Sequence, residues 1–269
     1  SSGALGTATN NAVHLLIQII IDAPYDENIR SAWLNRLWKA IEDDGVGYLD
    51  DVAERWGELC ANQAVALRWA DEFKSTHTMS WESGGYFRGT PAYFSCLLKA
   101  QHYAEVLKQL EKAPYPTWSY RKFGVRALAG FGKVEDAILY AEASQGLNDG
   151  YAQIALACEE ILIDAGKHDE AYSRFALDAN ITNTHLARFR ALTKKYPHKK
   201  PDLILRDLIS STPGEEGKWF ATAKSLSQFA VAAELAQMSP VNIATLNRAA
   251  RDFLVQEPAF ALQSAIAAL

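Results

Sequence analysis

Along nearly the whole chain apolar residues recur three and four positions apart, the spacing that gathers them on one face of an α-helix. Alternating runs bounded by two-residue turns, the mark of β-strands, do not occur. The pattern predicts helices at 10–22, 27–43, 48–59 and 62–74, with Pro24 and the pair Gly45 and Gly47 as stop signals. Residues 75–90, which hold Ser83-Gly84-Gly85 and Gly89-Thr90, read as a long irregular loop. Beyond it the helices come in pairs: 91–100 with 102–112, 117–131 with 133–144, 150–165 with 167–178, 183–196 with 201–211, 215–226 with 228–238, and 242–256 with 258–269. The expected fold class is all-α.

The pairs contain an internal repeat. Gly132-Lys133-Val134-Glu135-Asp136-Ala137 returns 34 residues later as Gly166-Lys167-His168-Asp169-Glu170-Ala171. That is the period of the tetratricopeptide repeat, a helix-turn-helix unit that cannot bury its own apolar face and stacks on its neighbours. In the second helices a small or branched residue takes an equivalent place (Val106, Ala137, Ala171 and Ala232), which lets paired helices approach closely. The reading is an α-solenoid of stacked antiparallel helix pairs, tetratricopeptide-like, with HEAT-like stacking as the competing label. Its parts are an N-terminal helical region at 1–74, the loop at 75–90 and the repeat array at 91–269. Ser1-Ser2-Gly3 reads as an appended lead-in, and the pattern at 258–269 stops without a cap. The expectation is therefore an excised region of a longer protein, truncated at its C-terminus.

Composition narrows the function classes. Of 269 residues 49% are hydrophobic and 22% charged, enough apolar side chains for a sizeable core, so wholesale disorder is excluded. The net charge of −5 argues against a general polyanion binder. Cys60, Cys96 and Cys158 are odd in number and lack zinc-site spacing; they read as small buried hydrophobes in a reducing compartment. The apolar run at 13–21 includes His14 and Gln18, falls well short of the roughly 20 residues of a membrane span, and lacks the flanks of a signal peptide. A cytoplasmic protein without metal or cofactor is expected.

Few stretches carry chemistry. Gly214-Glu215-Glu216-Gly217-Lys218-Trp219 approximates a phosphate-binding loop, but its glycines are too close, Trp219 replaces the Ser/Thr metal ligand, and no strand precedes it. It reads instead as a helix start, with Thr212 as N-cap, Pro213 at N1 and Glu215 completing a capping box. The acidic run from Asp43 to Asp51 fails as a calcium loop because Gly45 and Gly47 stand where oxygen ligands are needed; it reads as a solvated helix end and the next N-cap. The histidines (His14, His77, His102, His168, His185 and His198) show no HExxH motif, no i,i+4 pair and no neighbouring nucleophile. Catalysis is the minor reading.

Two basic stretches suggest binding. If Gly132 marks the turn between paired helices, Ser119, Lys122 and Arg126 fall on the concave side of such an array, and the next unit adds Gln153 and Glu160. The plain reading is a solvated face over an aromatic core; the functional one is a groove that recognises a carboxylate or an acidic peptide. The second stretch gathers His185, Arg188, Arg190, Lys194 and Lys195 with His198-Lys199-Lys200, and Arg248 and Arg251 extend it if the superhelix brings them round. Basic residues complement a helix C-terminus in any case; beyond that, the cluster suits an acidic protein or nucleic-acid phosphate. Trp33 and Trp38 belong by spacing to the core, whereas Trp81, Tyr86 and Phe87 fall in the glycine-rich loop and, if exposed, form a recognition surface.

Lys194-Lys195-Tyr196-Pro197, the stretch from Thr212 to Phe220, and Leu246-Asn247-Arg248-Ala249-Ala250-Arg251-Asp252-Phe253 resemble an uncharacterised bacterial family often described alongside SWIM-type zinc-finger proteins. Asp22-Ala23-Pro24-Tyr25-Asp26-Glu27-Asn28-Ile29-Arg30 and the stretch from Asp43 to Asp50 are similar to its N-terminal half. The resemblance implies a helical-repeat region of unknown activity. The Cys-x-Cys and Cys-x-His ligands of a SWIM module are missing, so no metal or DNA role comes with it. The leading expectation is a non-enzymatic scaffold that binds a protein or extended peptide, an acidic one included, through Lys122, Arg126, Glu160, Arg188, Arg190, Lys194, Trp81 and Tyr86. The alternative is association with nucleic acid through the cluster near 185–200. A third is an enzyme with a site between the N-terminal helices and the array, covered by the loop. No membrane partner is expected.

Overall fold

A computed structural model of the protein describes residues 2–24, 26–146, 150–238 and 240–269, and every regular element among them is helical. Contacts divide the chain into two compact units, Ser1–Ile161 and Leu162–Leu269. The first holds α1 (Ser2–Asp22), α2 (Glu27–Asp43), α3 (Asp50–Glu54), α4 (Trp56–Leu59), α5 (Gln63–Glu82), α6 (Thr90–Lys99), α7 (Tyr103–Leu110), α8 (Trp118–Gly130), α9 (Val134–Glu142) and most of α10 (Tyr151–Asp164). In the second, α11 (His168–Ala171) runs through a π-helical turn, Tyr172–Ala176, into α12 (Leu177–Ala179). Then come α13 (His185–Lys195), α14 (Pro201–Ser210), a 3₁₀ turn at Glu216–Trp219, α15 (Phe220–Ser225), α16 (Phe229–Ala236), α17 (Ile243–Asp252) and α18 (Pro258–Ala267). Among the described residues no helix is long and apolar enough to cross a membrane.

Four of the turns between helices share one conformation. Gln101, Gly132, Gly166 and Ser227 sit at positive φ, between 58° and 77°. The residue after each (His102, Lys133, Lys167 and Gln228) has φ between −83° and −91° and ψ between 51° and 65°. Its N–H donates to the carbonyl five residues back, that of Leu97, Leu128, Leu162 and Ala223 respectively, at 2.8–3.0 Å. This is a Schellman-type helix end, which satisfies carbonyls the helix leaves free. The carbonyl of that same residue accepts from Val106, Ala137, Ala171 and Ala232, and all four of these small residues are fully buried. The phrase repeated in the sequence is thus the imprint of one turn, which the chain also makes where glycine is absent.

A Cβ at Gly132 or Gly166 would meet nothing within 4 Å, so replacing either glycine tests the backbone conformation alone. Gly132→Ala and Gly166→Ala are each expected to cost about 1 kcal/mol in urea denaturation, while Gln101→Gly and Ser227→Gly cost nothing. An unchanged midpoint for both alanine variants would contradict the shared turn.

In the first unit the packing recurs with the pairs. α4 packs on α6 and α6 on α8, first helix against first helix, while α5 packs on α6 and α7 on α8. The approach of α4 to α6 needs Gly57, where a Cβ would come within 2.1 Å of the Ser95 carbonyl oxygen. Gly57 N–H donates to Ser95 Oγ at 3.0 Å across the same contact. Beside it the rings of Trp38, Trp56, Trp69 and Phe73 form one cluster, with Trp56 and Trp69 5.1 Å apart and Trp38 and Phe73 4.6 Å apart. All three cysteines are buried, as small hydrophobes would be. In the second unit α13 packs with α14, α15 with α16 and α17 with α18, and α16 also touches α18.

Three expectations are corrected. Residues 75–82 are not loop: α5 continues to Glu82 because Trp69, Phe73, His77 and Trp81, each four apart, form one buried stripe that extends the apolar face. Only 83–89 remain irregular. The helix expected at 48–59 is broken at Arg55 (φ −106°, ψ 13°) into α3 and α4. Thr212 does not cap a helix start; its hydroxyl donates to the Ile209 carbonyl at 2.9 Å and accepts from Trp219 Nε1 at 2.9 Å.

Candidate functional site

A polar surface of the first unit forms where α3, the 83–89 segment and the start of α8 meet. Asp50 and Glu54 stand one turn apart on α3, so both carboxylates project from one face. Asp50 Oδ1 is 3.1 Å from Arg88 Nε, and Glu54 Oε1 is 2.5 Å from Lys122 Nζ. The Lys122 and Glu54 side chains are only 20% and 33% exposed. Arg88 also donates to the carbonyls of Ile41 (2.6 Å) and Asp44 (2.7 Å) at the end of α2. The Asp44 carboxylate in turn accepts N–H groups of Val46, Gly47 and Leu49, and those bonds hold it below the usual carboxylate range. Tyr120 packs its ring 5.4 Å from Trp81, and burial pushes its phenol up.

The predicted contacts divide accordingly. Trp81 is no recognition residue: it is buried against His77, 4.3 Å between ring centroids, and Phe94, 5.6 Å, because it continues the α5 stripe. Tyr86, in the irregular segment, is 69% exposed. Lys122 does bind a carboxylate, but the carboxylate is Glu54 of the same chain. Arg126, one turn further along α8, is exposed, and no acid among the described residues pairs with it. Gln153 and Glu160 are exposed on α10.

In the second unit much of the basic cluster is spent on the fold. The half-buried Arg188 guanidinium donates to the Leu177 carbonyl in α12. Lys199 pairs with Asp169 at 3.0 Å and lies 4.4 Å from the Tyr172 ring centroid. His185 packs on Trp219 at 4.4 Å, and burial lowers its pKa. Arg248 donates to the Ala244 carbonyl and Arg251 pairs with Asp252. Arg190 and Lys194 remain exposed, four apart on α13. Arginines at carbonyls recur: Arg121 reaches Ala143 O at 3.2 Å, and the buried Arg30 donates to Ile20, Ala23 and Leu59. Each places a cation at or near the negative end of a helix.

A shallow groove of the second unit is lined by Gly166, Lys167, His168, Asp169, Glu170 and His198. His198 Nε2 is 3.5 Å from Asp169 Oδ1, and the two imidazoles are 6.0 Å apart. The hydrogen bond from Lys199 holds Asp169 below the usual carboxylate range. Its acids are paired with lysines, Lys167 with Glu170 at 3.2 Å, leaving an ion-pair network rather than a set of free ligands. Among the described residues no group of histidines, cysteines and acids is arranged to hold a metal ion.

Sequence reasoning missed Asp50, Glu54, Arg88 and Tyr120. Only the first two left a readable signal, two acids four apart in a predicted helix. What fold and surface define together is a class, an all-helical protein of packed helix pairs with a charged face. No protein-family model matches the chain, nor does any curated protein or solved structure.

Proposed function

We propose that the chain is an α-solenoid of tetratricopeptide-like pairs and acts, in the cytoplasm, as a non-enzymatic scaffold for an extended acidic segment of another protein. The observation that carries this reading is first-helix-on-first-helix packing in the first unit, α4 on α6 and α6 on α8, with the same turn closing the pairs that begin at α6 and α8. Elements stacked this way present a row of exposed first-helix positions, which suits an extended chain better than a small substrate. Ser119 and Arg126 are exposed in that row on α8, and the half-buried Lys122 between them already holds a carboxylate. The nucleic-acid reading has less support, since Arg188 and Lys199 are engaged within the chain. The enzyme reading has lost part of its lid, because 75–82 is helix and Trp81 is buried.

The test is fluorescence anisotropy with labelled oligo-glutamate, oligo-serine and oligo-lysine peptides. Selective binding of oligo-glutamate that weakens with salt is expected, and Arg126→Glu is expected to weaken it about tenfold by replacing attraction with repulsion. Equal affinity of wild type and Arg126→Glu would remove α8 as the binding face.

A further inference from the structure

We infer that Glu54 is a built-in competitor for the acidic partner, an autoinhibitory contact in which the chain's own carboxylate occupies the cation a bound segment would use. The inference rests on the scaffold reading and adds its regulation. Lys122 is the residue of the α8 row that meets the α3 face, its ammonium 2.5 Å from Glu54 Oε1. The helix that carries Glu54 cannot leave: Val52 and Ala53 are buried, α3 packs on α6, and Asp50 is tied to Arg88. Exchange is therefore confined to the carboxylate. The Glu54 side chain is 33% exposed, enough to swing into solvent when another carboxylate takes its place. Arg126, one turn along and unpaired among the described residues, is the open cation that a first carboxylate reaches before Lys122 is released. Such exchange favours ligands with several carboxylates in a row over single acids, because only the former gain at Arg126 what they spend in displacing Glu54.

The experiment uses the whole chain and the labelled oligo-glutamate peptide. Glu54→Gln keeps the shape of the side chain and removes its charge, and is expected to tighten binding about fivefold, the scale of a partly exposed ion pair. Adding Lys122→Gln to that variant is expected to abolish the gain. If wild type and Glu54→Gln bind equally well, the competitor role is overturned while the scaffold reading stands. If neither binds in low salt although both keep the wild-type unfolding midpoint, the scaffold reading fails and takes this inference with it. Should Glu54→Gln not fold, Glu54→Asp serves instead. Its carboxylate falls one methylene short of Lys122; it is expected to bind about twice as tightly as wild type, and unchanged affinity again overturns the role.

Discussion

Replacing Arg30 by methionine is expected to destabilise the unit Ser1–Ile161 by about 4 kcal/mol, one of the two largest effects foreseen for this chain. Arg30 is 3% exposed, and its guanidinium donates to the Ile20 and Ala23 carbonyls at the end of α1 and to the Leu59 carbonyl at the end of α4. No carboxylate among the described residues lies within ion-pair reach, so the charge is compensated by backbone dipoles converging from two helix ends. Methionine retains the volume and the apolar stem but leaves those carbonyls without their donor, and hydrogen bonds to a charged group contribute about 1.5–3 kcal/mol each. Lysine keeps the charge but not the fork, and is expected to recover less than half of the loss. Urea denaturation followed by tryptophan fluorescence is the measurement, since six of the seven tryptophans lie in this unit. A midpoint for Arg30→Met within experimental error of wild type would show that the guanidinium does not hold α1 and α4 together.

The second large effect is a dependence of stability on pH set by His77. Its ring is fully buried, 4.3 Å from Trp81 and 4.7 Å from Tyr93, and burial lowers its pKa to about 4 from the ordinary 6.5. Nδ1 lies 3.2 Å from Thr90 Oγ1, while Nε2 has no partner, so protonation would place an imidazolium N–H against aromatic rings with no acceptor. The unfolded chain takes up this proton near pH 6.5 and the folded chain only near pH 4. Stability from this residue is therefore complete above about pH 6.5 and falls as the pH drops through that window, by about 3 kcal/mol in all. His77→Phe keeps an aromatic ring in the stripe. It is expected to cost about 1 kcal/mol at neutral pH, through the lost Thr90 bond, and to flatten the slope between pH 6.5 and 4. His185, whose pKa is also lowered by burial, leaves a smaller residual slope from the second unit. An unaltered slope in His77→Phe would refute the assignment.

Both effects arise from residues whose importance the sequence conceals. In the pattern Arg30 is a charged position on α2 and His77 a polar one just before the glycine-rich Ser83-Gly84-Gly85 on which the loop reading rests. A histidine serves as an apolar residue only where neighbours from other elements exclude water, and here Tyr93 and Phe94 of α6 do so. Lys122 and Arg126 were legible as a pair on one helix face because that relation is local; that Lys122 would find Glu54, 68 positions earlier in the chain, was not. Trp81 failed as a surface residue and Arg188 as a free cation for a related reason, a partner supplied by the neighbouring helix.

From the residues alone come the all-helical class, most of the helices and the turns marked by Gly132 and Gly166, because amphipathic period, glycine at positive φ and a small residue just past the turn are relations within a few residues. The tertiary structure decided which polar side chains are spent on holding the fold and which still face solvent. Hydrogen bonds and ion pairs act over about 3 Å, so the partner of a given charge is set by which helices pack together, and that cannot be read from a residue's neighbours in the chain.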